Sequence, residues 1–113
     1  MSVPHPARLL RIHIGESDHW HGQRLHTAIV ERLRREGIAG ATVIHGVEGY
    51  GGHSIVHAAH ILDLSADLPV IIEVIDTPAR IEAILPVITA MVGEGLIYTL
   101  DVTVVYQSSG DRS

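Results

Sequence analysis

The sequence predicts an α+β fold of the ferredoxin-like type, a βαββαβ sandwich with an extra strand or hairpin in its middle. Three observations carry this expectation. Apolar segments of strand and helix character alternate in the order strand, helix, strand, loop, strand or hairpin, helix, strand. There are only two helical patterns, enough to cover one face of a four-stranded sheet. The best strand candidate, Val70-Ile71-Ile72-Glu73-Val74-Ile75, is almost continuously apolar. Such a run predicts burial on both faces, and the simplest cover for the second face is another copy of the chain.

The elements follow in order. Leu9 to Ile14 alternates Leu10, Ile12 and Ile14 with Arg11 and His13, the period of a strand. Gly15 to Gly22 is a polar loop. From about Gln23 to Glu36, Leu25, Ala28, Ile29, Arg32 and Leu33 share a helical face, and Gly37 ends the helix. Gly40 to His45 is the second strand. Ala58 to Leu64 is strand-like, Ser65 to Leu68 a turn, and Pro69 to Asp76 a strong strand. Thr77 then reads as an N-cap with Pro78 at the first helical position. Ile81, Ile84, Leu85, Ile88, Met91 and Val92 recur at helical spacing, and Pro86 is expected to kink that helix or weaken one turn. Gly93 and Gly95 stop it, and Leu96 to Tyr106 holds the last strand. The 113 residues make one domain, with a core at about residues 8–106 and loose ends outside it.

Composition excludes several functions. Without cysteine there are no disulfides, thiolate metal sites or thiol nucleophiles. All eight basic residues are Arg, so no lysine is present for Schiff-base or P-loop chemistry. At a net charge of −5, with one short Arg cluster (Arg32, Arg34, Arg35), no nucleic-acid partner is expected, and the cluster reads as the solvated face of a helix. No apolar run reaches membrane-spanning length and the N-terminus carries no apolar signal core, so the expected location is the cytoplasm. Ser17-Asp18-His19 contains the residue types of a hydrolase triad, but triads assemble across a fold rather than between neighbours, and no nucleophile elbow is present. No enzymatic activity is expected.

Four of the eleven glycines, Gly46, Gly49, Gly51 and Gly52, fall within seven residues. Such density marks unusual dihedrals or a close approach to the backbone. Successive N–H groups there could cradle an anion, as nests do, or the segment could serve as a partner-docking loop. Residues Val47 to Val56 are expected to be mobile in the free protein and to order on binding. Gly15-Glu16-Ser17-Asp18, leaving the first strand just before a helix, reads either as an anion site or as helix capping. His19-Trp20-His21 holds the only Trp, placed to stack on a base or a partner or to pack on the domain edge. Nine His are many for this length. His53, His57 and His60 would share one face of a helix and could hold a metal, whereas the glycines before them and Ile61-Leu62-Asp63-Leu64 after them favour loop and strand. His13, His45 and His60 lie on or beside strands and could converge across the sheet.

Several segments together resemble a known family. They are Leu10 to Ser17, Gly40-Ala41-Thr42-Val43, Gly46-x-x-Gly49-Tyr50-Gly51, Ile55-Val56-His57 and Leu62 to Val70. In this order, over about residues 8 to 106, they resemble the bacterial and archaeal domain of unknown function 190 family, grouped with the PII-like signalling proteins. The resemblance implies a ferredoxin-like subunit and a homotrimer with its sheets facing the threefold axis. It implies a long loop after the second strand, equivalent to the T-loop of PII proteins. It also implies a small-molecule site, adenine nucleotides in PII proteins, at the cleft between subunits. The expected ligand-binding residues are Gly15, Glu16, Ser17, Gly46, Glu48, Gly49, Gly51, Gly52 and His57. The loop would dock on a membrane transporter or an enzyme. The chain differs from PII proteins in having no lysine and no PII phosphate-binding signature before its final strand; no cofactor is assigned. The alternative is a divalent-metal-binding protein of the same fold using His53, His57 and His60.

Overall fold

The computed structural model describes residues 4–50 and 67–108. In chain order the elements are β1 (His5–Gly15), β2 (His19–Trp20), β3 (Gln23–Arg24), α1 (Leu25–Arg35), β4 (Thr42–His45), β5 (Pro69–Asp76), α2 (Pro78–Met91) and β6 (Leu96–Val104). β2 and β3 form a separate two-stranded ribbon. The other four strands stand side by side as β4-β5-β1-β6, with every pairing antiparallel. Counted along the chain, the order across this sheet is second, third, first, fourth, which is the ferredoxin-like arrangement. The extra strand expected at Ala58 to Leu64 lies outside the described residues.

Alternation decides what each strand buries. Leu10, Ile12 and Ile14 of β1 and Val70, Ile72 and Val74 of β5 turn to the helices and are almost wholly buried. Against them pack Leu25, Ala28, Ile29 and Leu33 of α1 and Ile81, Ile84, Ile88 and Met91 of α2. With no Phe in the chain, this core is aliphatic, and each fully buried Ile or Leu contributes about 1.5–3 kcal/mol.

The helix ends follow local chemistry. Gly37 takes φ 89°, and the Gly37 and Ile38 amides donate to the carbonyls of Arg34 (3.2 Å) and Leu33 (3.1 Å), a Schellman closure of α1. Ile38, folded back by this turn, is buried. At α2 the Thr77 hydroxyl accepts from the Arg80 amide at 3.2 Å. The helix runs through Pro86 without interruption. Proline removes the donor that would meet the Glu82 carbonyl. Both residues lie on the exposed face, where water can replace that partner.

The structure corrects several boundaries. Residues 5–7 are not a loose end: His5, Pro6 and Ala7 pair with Val104, Thr103 and Val102, and Ala7 is buried. α1 begins at Leu25, because Gln23 and Arg24 belong to β3. β6 ends at Val104, leaving Val105 and Tyr106 exposed.

β5 presents its two faces to different surroundings. Its alternate residues Ile71, Glu73 and Ile75 face away from the helices, and Ile75 is 50% exposed. Within one chain the strand is therefore buried on one face only. The open face carries an apolar set, Ile44, Ile75, Leu96 and Leu100, each 41–58% exposed. Among them Arg11 Nε donates to Glu73 at 2.7 Å and Nη1 to the Tyr98 hydroxyl at 3.4 Å. His13 Nε2 lies 3.1 Å from the same hydroxyl. The Tyr98 hydrogen bond first, and Glu73 second, hold the Arg11 pKa above its usual value, so Arg11 stays charged.

The two faces of β5 predict a measurable asymmetry. Ile72→Ala, which empties a wholly buried position, should cost about 2–5 kcal/mol in urea unfolding at every protein concentration. A loss below about 1 kcal/mol would contradict the placement of Ile72 beneath the helices.

Candidate functional site

β1 and β4 both leave the sheet at the end where β5 begins. The backbone there is tightly tied. Gly15 donates to Asp18 Oδ2 at 3.0 Å, Glu16 to the Leu68 carbonyl at 2.8 Å, and Ser17 to Asp67 Oδ1 at 2.9 Å. Gly15 is needed for this approach, since a Cβ on it would lie 2.6 Å from the Asp67 carboxylate. Gly46 donates to the Pro69 carbonyl at 2.8 Å, and a Cβ there would lie 2.6 Å from Pro69 Cγ. Gly49 packs on the same proline ring. The two glycine-containing segments singled out in the sequence thus meet at one end of the sheet.

After Ser17 the chain folds back through the β2–β3 ribbon. His21 and Gly22 both take positive φ, 48° and 87°, the pattern of a two-residue type I′ turn. Trp20 stacks on His21 with centroids 4.2 Å apart and packs partly buried on the core. The ribbon returns Arg24 to Glu16, where its Nη1 donates to the Glu16 carbonyl at 2.7 Å and approaches Oε2 at 3.3 Å. The Leu25 amide donates to the Asp18 carbonyl at 2.8 Å and starts α1. The Glu16–Asp18 turn therefore supports α1 through a backbone carbonyl; α1 has no side-chain N-cap.

His26, in the first turn of α1, and His45, the last residue of β4, then face Glu16 from two sides. His26 Nε2 is 3.5 Å from Glu16 Oε2, and His45 Nδ1 is 2.9 Å from Oε1. The two rings are edge to face, 5.5 Å apart. The His45 approach is short but outside hydrogen-bond geometry. Glu16 Oε1 and His26 Nε2 are both buried atoms with no hydrogen-bond partner among the described residues. Such orphaned polar atoms cost about 1–3 kcal/mol each unless something satisfies them. One donor atom from each of Glu16, His26 and His45 lies within 4.8 Å of the other two.

Sequence reasoning named Glu16 as a ligand residue and His45 as a strand-end histidine, but placed His45 with His13. The pleat separates them: His13 pairs with Ile71 on the open face, while His45 pairs with Val70 on the helix side. His26 was missed. The one available signal was the His21-Gly22 pair, whose left-handed turn folds α1 back onto Glu16. Ser17, Glu48 and Tyr50 are exposed. Gly51, Gly52, His53, His57 and His60, and with them the sequence-predicted metal set, lie outside the described residues. A depression of about 390 Å³ at the opposite end of the sheet, lined by Pro6, Arg8, Pro78, Asp101 and Thr103, is remote from these groups. Its Arg8 is already paired with Glu82 and Asp101, both at 3.0 Å.

The profile of the domain of unknown function 190 family, described as Uncharacterized ACR, COG1993, matches residues 7–104. A UPF0166 protein of Methanocaldococcus jannaschii is 38% identical over 96 residues, 84% of this chain and 88% of that one. A UPF0166 protein of Aquifex aeolicus is 33% identical over 99 residues, 88% and 93% of the two chains. Among solved structures, a PII-like protein of Thermus thermophilus superposes with a TM-score of 0.63 at 20% identity, over 88% of this chain and 90% of that one. CPII of Thiomonas intermedia K12, bound to ADP and bicarbonate, gives 0.57 at 20% identity over 90% and 91%. The fold is that of the PII-like proteins, and the chain belongs to the domain of unknown function 190 family.

Proposed function

We propose that this chain is a PII-like regulatory protein that binds a small molecule, an adenine nucleotide, between the subunits of a homotrimer. The observation that carries the reading is the open face of the sheet. A folded chain that exposes Ile75, Leu96 and Leu100 around an ordered Arg11–Glu73–Tyr98 group is built to have that face covered. Two further copies, packed sheet to sheet about a threefold axis, cover it with identical surfaces. The ends of β1 and β4 then lie beside a subunit cleft. Gly15, Glu16 and Ser17 would form one wall, with Gly46, Glu48 and Gly49 beside them and Gly51, Gly52 and His57 completing the set. CPII, which shares the fold, is bound to ADP in its structure, which supports a nucleotide as the ligand class.

The backbone constrains how an anion could be held. The amides of Gly15, Glu16, Ser17 and Gly46 already donate within the chain. A phosphate would therefore depend on donors from the neighbouring subunit or from residues after Gly46. The protein acts by binding and signalling to a transporter or enzyme in the cytoplasm rather than by catalysis.

Calorimetry with ADP, ATP and AMP tests the reading. The wild-type protein should bind at least one of them, at up to one site per chain. Ile75→Glu places a charge on the open face without touching the core, and should keep the far-ultraviolet circular dichroism of the wild type. It should lose nucleotide binding by more than tenfold, because the cleft needs a neighbour. No heat with any adenine nucleotide would reject the ligand class. Wild-type affinity in a monomeric Ile75→Glu variant would reject the intersubunit site.

A further inference from the structure

We infer that Glu16, His26 and His45 form a binding site for a borderline divalent transition metal of the Zn²⁺ class, held by a single chain at the end of the sheet. Three separate elements converge to make it: the residue after β1, the first turn of α1 and the end of β4. The donor set is two imidazoles and one carboxylate, with one donor atom of each within 4.8 Å of the others. Bonds of about 2.0–2.2 Å to N and O place tetrahedral donors about 3.4 Å apart. The observed approaches of 2.9 Å (His45 Nδ1 to Glu16 Oε1) and 3.5 Å (His26 Nε2 to Glu16 Oε2) are of that scale.

Two observations beyond proximity point to a ligand. Glu16 Oε1 and His26 Nε2 are both buried atoms without a hydrogen-bond partner among the described residues, one an acceptor and the other a ring nitrogen aimed at the same carboxylate. A cation shared between them satisfies both. Arg24, meanwhile, bonds the Glu16 carbonyl and approaches Oε2, so it fixes the carboxylate from outside and leaves Oε1 to the site. The side chain of His45 is 56% exposed, so a fourth coordination position opens to solvent.

The surroundings also select the metal. The N-terminal end of α1 and the Arg24 guanidinium are both positive and oppose any cation. A hard ion held mainly by charge, such as Mg²⁺ or Ca²⁺, also lacks the oxygen donors it prefers. Zn²⁺ and its neighbours bind imidazole strongly enough to overcome the opposing charge. Both histidines must be neutral to ligate. The site shares Glu16 with the proposed nucleotide wall, but it needs no second subunit and no nucleotide. It is also distinct from the set His53, His57 and His60.

Titration calorimetry of the full-length protein with zinc chloride alone, checked by the visible spectrum of bound Co²⁺, tests it. One ion per chain is expected, with at least hundredfold weaker binding of Mg²⁺. Glu16→Gln, His26→Ala and His45→Ala should each weaken Zn²⁺ at least tenfold and bleach the Co²⁺ spectrum. These side chains are partly exposed, and retention of the wild-type circular dichroism identifies folded variants; if His26→Ala misfolds, His45→Ala decides. The His53→Ala, His57→Ala, His60→Ala triple variant should bind as the wild type does, and so should Ile75→Glu. Unchanged affinity in folded His45→Ala, equal affinity for Mg²⁺, or loss of binding in the triple variant would each overturn the assignment.

Discussion

A four-stranded sheet has two faces, and the two helices of this chain can cover one. That constraint organises the rest of the molecule. It explains why Leu10, Ile12, Ile72 and Val74 are wholly buried while Ile75, Leu96 and Leu100, on the opposite face of the same sheet, are not. On the second face Ala7 and Leu9 are buried, but Ile44, Ile75, Leu96 and Leu100 stay exposed. Its centre is ordered nonetheless: the strand register sets Arg11 opposite Glu73 on one side and Tyr98 on the other, and all three side chains engage. An ion pair in water holds its geometry weakly. One enclosed by Leu, Ile and Tyr side chains, and by a second copy of the same surface, would be a register key for assembly.

The same topology gathers chemistry at one end. In the antiparallel order β4-β5-β1-β6, the ends of β1 and β4 and the start of β5 fall together. Two glycines let the chain leave there without clashing, Gly15 beneath Asp67 and Gly46 against Pro69. Close backbone approach then brings Glu16 and His45 together, and the β2–β3 ribbon adds Arg24 and His26. The nucleotide reading and the metal reading both draw on this end, but on different physics. The first needs a neighbouring subunit; the second needs only the folded chain.

Much of the fold was legible because its signals are local. The run Pro69–Asp76, the Thr77-Pro78 helix start and the Gly37 stop are where the sequence places them. The start of β1 was not legible, since His5-Pro6-Ala7 reads as a tail. It becomes strand because β6 extends to Val104 and pairs with it. Pro6 is tolerated there because the β5 pairing begins only at Arg8, so at Pro6 the strand is an edge. The second face of β5 is apolar and left open by this chain's own helices, as its sequence leads one to expect. Apolarity shows that a surface will be buried, not whether the same chain buries it. At the site, Glu16 and the glycines stood out by type and spacing. His26 did not, because its role depends on a left-handed turn that returns a helix to the residue after β1.

The central claim is that the open sheet face is covered by copies of this chain. Static light scattering of the purified protein at micromolar concentration tests it most directly. The account predicts a mass three times the 12.2 kDa of the chain. A stable, folded species of 12.2 kDa at that concentration would contradict it.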